Sequence, residues 1–340
     1  MRNVFFHHGN IGAVFYGNIF FLIILAIKHP ESDVKEVKEK RGVTVKKKQK
    51  KRAIFMVTRG LLFFCSALLL LNCTQQQTGE TAKSGSINLA VDRHLEGIAA
   101  IQAESFSRYY PAATVTLLPD ASGKSLKHLL EGSVKAALIS GNPEAVEDSL
   151  FGELKRPIRR EPVARDAIVC IVNRSNPTNM LSTTELGTLL SAKGDGGAII
   201  PLVRADDFRL LSLLAATTGI KRGELHSWSC NSDAALIERV STDRRAVGLL
   251  FRSSFEKALN TANIRFLPIA KGDGAPCMPT QQNIFDGSYP LVTLVYYLYY
   301  PGDALAAGFG SWLSSGAGQK AFERSSLAPY RLVERTIILK

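Results

Sequence analysis

The sequence has little of what catalysis by common enzyme classes requires. It contains six histidines, three of which precede Cys73, and the remaining His94, His128 and His226 show no metal-ligand spacing. No G-x-S-x-G segment is present, so the nucleophile elbow of serine hydrolases is missing. These absences favour a binding protein over an enzyme, and they indicate no cofactor and no metal.

Cysteine is also scarce, with five in 340 residues, which excludes a disulfide-rich scaffold. Cys170 lies within a continuous apolar run, where a buried free thiol is expected. Cys230 and Cys277 could pair in an oxidising compartment, and the sequence leaves that pairing open.

A basic surface for nucleic acid is excluded by where the charges lie. The net charge is +12, but residues 1–72 carry 13 Lys or Arg against 4 Asp or Glu, which leaves +3 for residues 73–340. The basic excess is therefore typical of an export signal, and no nucleic-acid partner is expected.

The N-terminal region has the order of a secretory signal peptide. Residues 11–27 form a mostly apolar run at the short limit for a membrane span. Residues 46–59 are basic, and residues 61–71 form a short apolar segment that ends at Cys73. This order predicts a signal peptide within residues 1–72. Because an export signal normally begins the chain, residues 1–45 could lie upstream of the true start.

The segment that ends at Cys73 resembles the lipobox of bacterial lipoproteins, in which the cysteine is lipidated. Leu70 fits that motif, whereas Asn72 stands where a small residue is usual. A polar tether over residues 73–86 follows, as expected of a lipid-anchored surface protein. The alternative is an ordinary membrane anchor with an incidental cysteine.

The rest of the chain predicts an α/β protein organised around residues 162–177. Strand and helix patterns alternate before this stretch, with strands at 87–91, 113–118 and 136–139 and helices at 95–110 and 125–131. A second alternating series follows, with strands at 199–203, 247–251, 264–269 and 291–300 and helices at 185–190, 208–217, 233–240, 304–313 and 318–322. Ser182 or Thr183 can cap the first of these helices, and Glu185 is placed for a capping interaction. Residues 167–172 form a continuous apolar run, which indicates a strand buried on both faces. We predict that this strand carries the chain between two lobes.

Two places indicate an anion site. Gly123, Lys124 and Ser125 resemble the end of a phosphate loop, but Leu118 stands where the first glycine is required, so the nucleotide motif fails. Ser122, Gly123 and the first helical N–H groups remain a candidate anion site, with an ordinary capped helix as the alternative. Arg204 ends a predicted strand, where ligands of doubly wound sheets bind, although a surface arginine is the alternative.

Several segments together resemble the periplasmic phosphate-binding proteins of ABC transporters. The similarity covers roughly residues 86–330, and its motifs are Pro162-Val163-Ala164-Arg165-Asp166-Ala167-Ile168, Val172-Asn173, Asn176-Pro177, Leu181-Ser182, Glu185-Leu186, Ala246-Val247-Gly248-Leu249, Tyr289-Pro290-Leu291, and the set Trp312, Ser314, Gly318, Gln319 and Pro329.

The resemblance implies a two-lobed venus-flytrap, the type II periplasmic binding fold, in which each lobe is a doubly wound, mostly parallel sheet and two crossover strands join the lobes. Lobe 1 would comprise residues 87–165 and 291–340, and lobe 2 residues 166–290. The protein would be a periplasmic or cell-surface monomer that binds phosphate or a similar oxyanion and delivers it to a membrane permease.

The same resemblance implies ligand contacts at Ser122, Gly123, Lys124, Ser125, Ser140 and Arg204. The chain also departs from the family pattern. Asp207-Phe208-Arg209 replaces the Ser-Gly-Thr that follows the arginine, Ala90 to His94 replace the first glycine-serine loop, and Lys135 stands where an acidic residue is expected. The alternative function is therefore a flytrap domain that serves as a ligand-independent interaction or sensory module.

Overall fold

The computed structural model describes residues 79–191, 199–255 and 263–333. The predicted signal peptide, Cys73 and the first part of the tether, residues 73–78, lie outside these residues. The first described elements alternate strand and helix: β1 Gly85–Asp92, α1 Glu96–Tyr109, β2 Ala113–Asp120, α2 Lys124–Leu130, β3 Ala136–Ser140 and α3 Ala145–Glu153.

A long strand follows, and then a second alternating series. These elements are β4 Arg159–Asn173, β5 Leu181–Ser182, α4 Thr183–Ser191, β6 Ile200–Arg204, α5 Phe208–Thr218, β7 Trp228–Cys230, α6 Asp233–Thr242, β8 Ala246–Phe251, β9 Ile264–Phe266, β10 Ile269–Ala270 and α7 Gln281–Phe285. The chain then returns through β11 Val292–Tyr299, α8 Ala304–Ser314, α9 Gly316–Glu323 and β12 Ala328–Pro329.

Ten of the described strands form one sheet in the order β2-β1-β3-β11-β4-β8-β6-β7, with β9 and β12 also paired to β4, and β5 and β10 form a separate two-stranded sheet. We call the part built on β1, β2, β3 and β11 the first lobe, and the part built on β6, β7 and β8 the second lobe. Within each lobe, β1, β2 and β3 run parallel, as do β6, β7 and β8, while β4 is antiparallel to β11 and β8. This arrangement confirms the mostly parallel α/β fold class.

Strand β4 belongs to both lobes. Its first part, Arg159 to Ala167, pairs with β11, and its second part, Ile168 to Val172, pairs with β8. The predicted segment 167–172 is fully buried, in keeping with its apolar sequence. Within the first part of β4 the register with β11 shifts, and Val163 is left as an extra, unpaired residue. The side-chain amide of Gln319 donates to the Val163 carbonyl at 2.9 Å.

Local sequence signals explain where several helices begin. Ser182 and Glu185 cap helix α4 reciprocally: the Ser182 hydroxyl accepts from the Glu185 amide at 3.0 Å, and the Glu185 carboxylate accepts from the Ser182 amide at 2.7 Å. Ser232 caps α6 and Asp207 caps α5 by accepting from amides in the first turn. The predicted capping role of Glu185 is therefore confirmed.

The structure differs from the sequence predictions at two points, and it answers one question that the sequence left open. The predicted strand 264–269 is two short strands, because Pro268 between them has no N–H to donate. Cys230 and Cys277 do not pair: both are free thiols, as is the buried Cys170. The described residues also include elements that the sequence did not predict, among them α3, β7 and α7. Within residues 79–191, 199–255 and 263–333, no helix is long and apolar enough to cross a membrane.

Candidate anion-binding site

A buried polar cluster lies where the carboxyl ends of the strands of both lobes meet. The first lobe contributes residues after β1, β2 and β3, and the second lobe contributes residues after β6. In doubly wound proteins this edge of the sheet is where ligands bind. The members of this polar cluster are Asp92, His94, Ser122, Ser125, Ser140, Arg204, Asp207 and Arg209, all of them buried.

Asp92 is the most deeply buried carboxyl group of the cluster. Its Oδ2 atom accepts from the Ser140 amide at 3.1 Å and lies 3.9 Å from Nε of Arg209. Burial raises the pKa of Asp92 to about 6, although Arg209 and the Ser140 amide oppose this by favouring the ionised form. The Oδ1 atom has no hydrogen-bond partner within the described residues.

His94 connects the two lobes through its ring. Nε2 lies 2.8 Å from the Ser140 hydroxyl, and the ring stacks on Phe251 of the second lobe with centroids 4.0 Å apart. Burial, and then the positive charges of Arg204 and Arg209, hold the pKa of His94 well below its usual value. The imidazole is therefore neutral near pH 7, and its Nδ1 has no hydrogen-bond partner in the described part of the chain.

Arg204 follows β6 and is held by acidic side chains of its own lobe. Nε donates to Asp206 at 2.5 Å, and Nη1 donates to Asp233 at 3.2 Å. Nη2 lies 3.7 Å from Asp207, and no described residue accepts a hydrogen bond from it, although the side chain is only 4% exposed. One guanidinium N–H pair therefore points into the cluster with hydrogen-bonding capacity to spare.

Ser122 and Asp207 join the lobes directly. The Ser122 hydroxyl donates to Asp207 at 2.7 Å and accepts from the Arg209 amide at 3.2 Å. Asp207 also accepts from the Leu210 amide as the cap of α5. Burial raises the pKa of Asp207, and Arg204 opposes that rise. The Asp207 carboxylate therefore accepts the hydrogen bond that the Ser122 hydroxyl could otherwise donate to an anionic ligand.

Arg209 reaches from the second lobe into the first. Nη1 donates to the Asn142 carbonyl at 3.1 Å, and Nη2 donates to both carboxylate oxygens of Glu147 at 2.9 and 3.1 Å. Nε faces Asp92 without a hydrogen bond. A second, more exposed bridge lies nearby, where Glu144 accepts from Arg222 at 2.9 Å. These bonds hold the two lobes together by the protein's own charges.

The structure unites some of the predicted contact residues and separates others. Ser122, Ser125, Ser140 and Arg204 lie in the polar cluster. Gly123 begins helix α2 at φ 92°, a conformation that favours glycine, while the Lys124 side chain is largely exposed and lies 3.7 Å from Asp120.

Lys135, which stands where the family has an acidic residue, immediately precedes β3, whereas Ser140 ends that strand. Lys135 pairs with Glu80 and approaches Asp303 at 3.9 Å. It is therefore engaged by acidic side chains at the opposite end of β3 from Ser140.

Sequence reasoning missed four members of the cluster: Asp92, His94, Asp207 and Arg209. Asp92 ends β1 and His94 follows it, while Asp207 and Arg209 lie at the start of helix α5 after β6, so their position at the carboxyl end of a buried strand is the signal that indicates them. Asp92 supplies the buried carboxyl group that Lys135 was expected to have replaced.

The polar cluster is suited to hydrogen-bonding an anion. Within the described residues, its atoms without hydrogen-bond partners include three that can donate, Nη2 of Arg204, Nε of Arg209 and the hydroxyl of Ser125, and one carboxylate acceptor, Oδ1 of Asp92. Buried donors of this kind are costly unless a ligand or water satisfies them. In the described residues, no group of three His, Cys, Asp or Glu side chains is placed to hold a metal ion.

A cavity of about 350 Å³ adjoins the polar cluster. Ser140 and Arg209 border both, and the other walls come from residues 141–144, helix α5 and the start of β11. The site is therefore larger than the polar cluster alone.

Comparison with known proteins places this architecture in a family. Two curated relatives are 23% identical: Protein SphX of Synechococcus elongatus over 214 residues, and the Phosphate-binding protein PstS of Pseudomonas aeruginosa over 278 residues. The alignments cover 58% and 72% of this chain, and 62% and 83% of the respective relatives. The chain thus spans less than two thirds of the length of SphX.

Solved structures show the same fold. One is a Clostridium perfringens protein described as a phosphate ABC transporter substrate-binding protein, solved with bound phosphate (TM-score 0.61, 16% identity, 72% of this chain and 99% of that one). An ABC-type phosphate transport receptor from Vibrio cholerae has a TM-score of 0.56 at 18% identity, over 71% and 99% of the two chains. The family model described as "PBP superfamily domain" matches residues 76–316. Since this match covers more than half of the chain, the protein belongs to the PBP superfamily, the periplasmic-binding-protein class of solute-binding proteins.

Proposed function

We propose that the protein is the extracytoplasmic solute-binding component of an ABC importer, and that it takes phosphate or a related oxyanion between its lobes. It would deliver this ligand to a membrane permease and would have no catalytic activity of its own. Two observations support the proposal: relatives named for phosphate binding, and buried donors without partners on Arg204, Arg209 and Ser125.

The anion would take the place of protein carboxylates as the hydrogen-bond acceptor of the polar cluster. Ser122 would release Asp207 and donate to the ligand, and Nη2 of Arg204 would add a charge-assisted hydrogen bond. Ser125 and Ser140 lie close enough to contribute hydroxyl groups. Gly123 would shape the loop, and Lys124 would contribute charge from the surface rather than a direct contact.

Closure would be a hinge motion of one lobe against the other, with residues 87–165 and 291–340 moving against residues 166–290. The chain passes between the lobes in the middle of the sheet, along β4 between Ala167 and Ile168 and again between Tyr289 and Val292. Since the lobes already contact one another through Arg209 and Ser122, the ligand would have to enter during transient opening.

Isothermal titration of the mature chain with phosphate, sulfate and molybdate tests this function. We expect saturable binding of at least one anion, weakened at least tenfold by Arg204→Lys, because lysine cannot reproduce the shape of the guanidinium. The surface variant Lys127→Met serves as the control and should bind as well as the wild type, because the Lys127 side chain is exposed on helix α2 and is not a member of the polar cluster. If none of the three anions produces heat or a thermal shift, oxyanion binding is rejected.

We further propose that Cys73 is lipidated and that residues 73–86 tether the monomeric protein to a membrane at the periplasm or cell surface. The lipobox-like sequence and the polar stretch behind it support this. Cys73→Ala or globomycin treatment should change the mature mass by the lipid. An unchanged mass in both experiments would rule out lipidation.

The contacts between the lobes favour a second candidate, a flytrap domain that acts without a ligand. Arg209 and Glu147 close the cleft, and the acidic groups Asp92 and Asp207 disfavour a dianion. In that case crosslinking would capture a protein partner, and no anion would alter the melting temperature. A thermal shift with phosphate would argue for transport instead.

A further inference from the structure

The cavity beside the polar cluster is lined by both apolar and polar side chains. Its apolar part comes from Pro143, Leu213, Ala216, Val292 and Leu294, and its polar part includes Asn142, Ser212, Thr293 and Tyr296. Ligand pockets for small organic molecules commonly combine apolar walls with a few polar groups. The lining is therefore typical of a site for an organic group rather than for an inorganic ion alone.

The cavity volume agrees with this reading. An apolar cavity of about 150 Å³ is enough to hold benzene, and this cavity measures about 350 Å³. An anion held by Arg204 and Ser122 would engage the polar cluster and leave the cavity to another part of the same ligand. Arg209 and Ser140 lie on the boundary, so a ligand could contact both regions at once.

The charges around the cavity favour an uncharged substituent. Glu144 is the acidic residue in its lining, and its carboxylate is already engaged by Arg222 at 2.9 Å and by the Ser212 hydroxyl at 2.5 Å. Arg209 is engaged by Glu147 and the Asn142 carbonyl. Neither charge is therefore free to recognise a second ionic group on the ligand.

We propose that the ligand is a phosphate monoester or a phosphonate whose anionic head binds the polar cluster and whose small uncharged substituent, up to the size of an aromatic ring, occupies the cavity. This rests on the proposed oxyanion-binding function and narrows its ligand class. The substituent would contact Leu213 and Ala216 of α5 and Val292 of β11. Burying a ring there should raise affinity by about tenfold or more over inorganic phosphate.

Titration of the mature chain at pH 8 with inorganic phosphate, ethyl phosphate, phenyl phosphate and phenylphosphonate tests the proposal. At this pH all four heads are mainly dianions, so differences in affinity report the substituent. We expect at least one organic ligand to bind at least tenfold more tightly than inorganic phosphate. Ala216→Phe, which fills the cavity, should remove that advantage while changing phosphate affinity by less than about twofold.

Thr217→Phe is the matched control, because Thr217 is exposed on the same helix and does not line the cavity. It should leave all affinities unchanged, and Leu213→Trp offers a second way to fill the cavity. If phosphate binds and no organic ligand binds more tightly, the proposed ligand class is overturned while oxyanion binding stands. Equal losses of phosphate and ester binding in both filling variants would overturn it too. If no ligand of either kind binds, both proposals fail.

Discussion

Replacing Asp92 by asparagine tests the electrostatics of the polar cluster directly. The side chain is fully buried, and burial raises its pKa from the usual 3.8 to about 6 despite the nearby Arg209 and the Ser140 amide. Asparagine keeps the shape and can still accept from the Ser140 amide, but it does not titrate in this range. The change therefore removes a buried ionisable group with little change in packing.

The sign of the effect follows from the direction of the shift. Because the pKa of Asp92 is higher in the folded than in the unfolded state, the folded protein binds more protons between about pH 4 and 6. Its contribution to stability is present at low pH and is lost as the pH rises through this range. A pKa raised from 3.8 to about 6 corresponds to about 3 kcal/mol of unfolding free energy.

Urea unfolding of wild type and Asp92→Asn at pH 4 and pH 7 measures this. Between these values we expect the difference in unfolding free energy to move by about 2 kcal/mol in favour of the variant, less than the full ~3 kcal/mol because the carboxyl of the unfolded chain is already partly ionised at pH 4. Burial also raises the pKa of Asp166 to about 6. Because Asp166 is present in both proteins, its contribution cancels in the difference between their unfolding free energies. The same difference at both pH values, or a movement in favour of the wild type, would refute the electrostatic account. Asp286→Asn is a control of opposite sign, since Ser288 lowers the pKa of that exposed carboxyl.

Three further predictions concern ligand binding and packing. Sulfate, which keeps its charge between pH 5 and 8, should bind more tightly at pH 5 as Asp92 becomes neutral; titration calorimetry showing equal or weaker binding would contradict this. Arg209→Met should lower the unfolding free energy by about 3 kcal/mol, because Glu147 and Asp92 lose their buried partner, whereas Arg222→Met at the more exposed bridge should cost less than about 1 kcal/mol. Denaturant unfolding that shows equal losses for the two variants would contradict a larger contribution of the buried Arg209 bridge than of the exposed Arg222 bridge. Gly248→Ala should destabilise by about 1–3 kcal/mol, because a Cβ there would lie 2.5 Å from Leu236, while Gly152→Ala, with open space around it, should be neutral or stabilising in the same assay.

The sequence predicted the buried parts of the fold better than the exposed ones. The apolar run 167–172 identified the second part of β4. Its first part was not predicted, because it begins with the charged residues Arg159, Arg160 and Glu161, and charged residues at the outer end of a strand resemble a loop. Helix α3 was missed since Phe151 is its only buried side chain, whereas Val146 is 71% exposed, so it has no amphipathic pattern to detect.

The sequence likewise predicted only some residues of the candidate site. Ser122, Ser140 and Arg204 were predicted because they follow strands in segments that resemble the family. The role of Arg209 was not, because its partners Asn142 and Glu147 lie more than 60 positions away and in the other lobe. Spacing along the chain carries no information about a contact that forms only when two lobes meet.

The shared strand β4 has a mechanical consequence. Its hydrogen bonding passes from β11 to β8 without a gap between Ala167 and Ile168, so any rotation of one lobe against the other must twist this strand. The register shift at Val163 interrupts the regular pairing of β4 with β11 a few residues before that point. The Gln319 amide donates to the carbonyl of this extra residue, so a side chain of helix α9 holds the strand where its pairing is irregular.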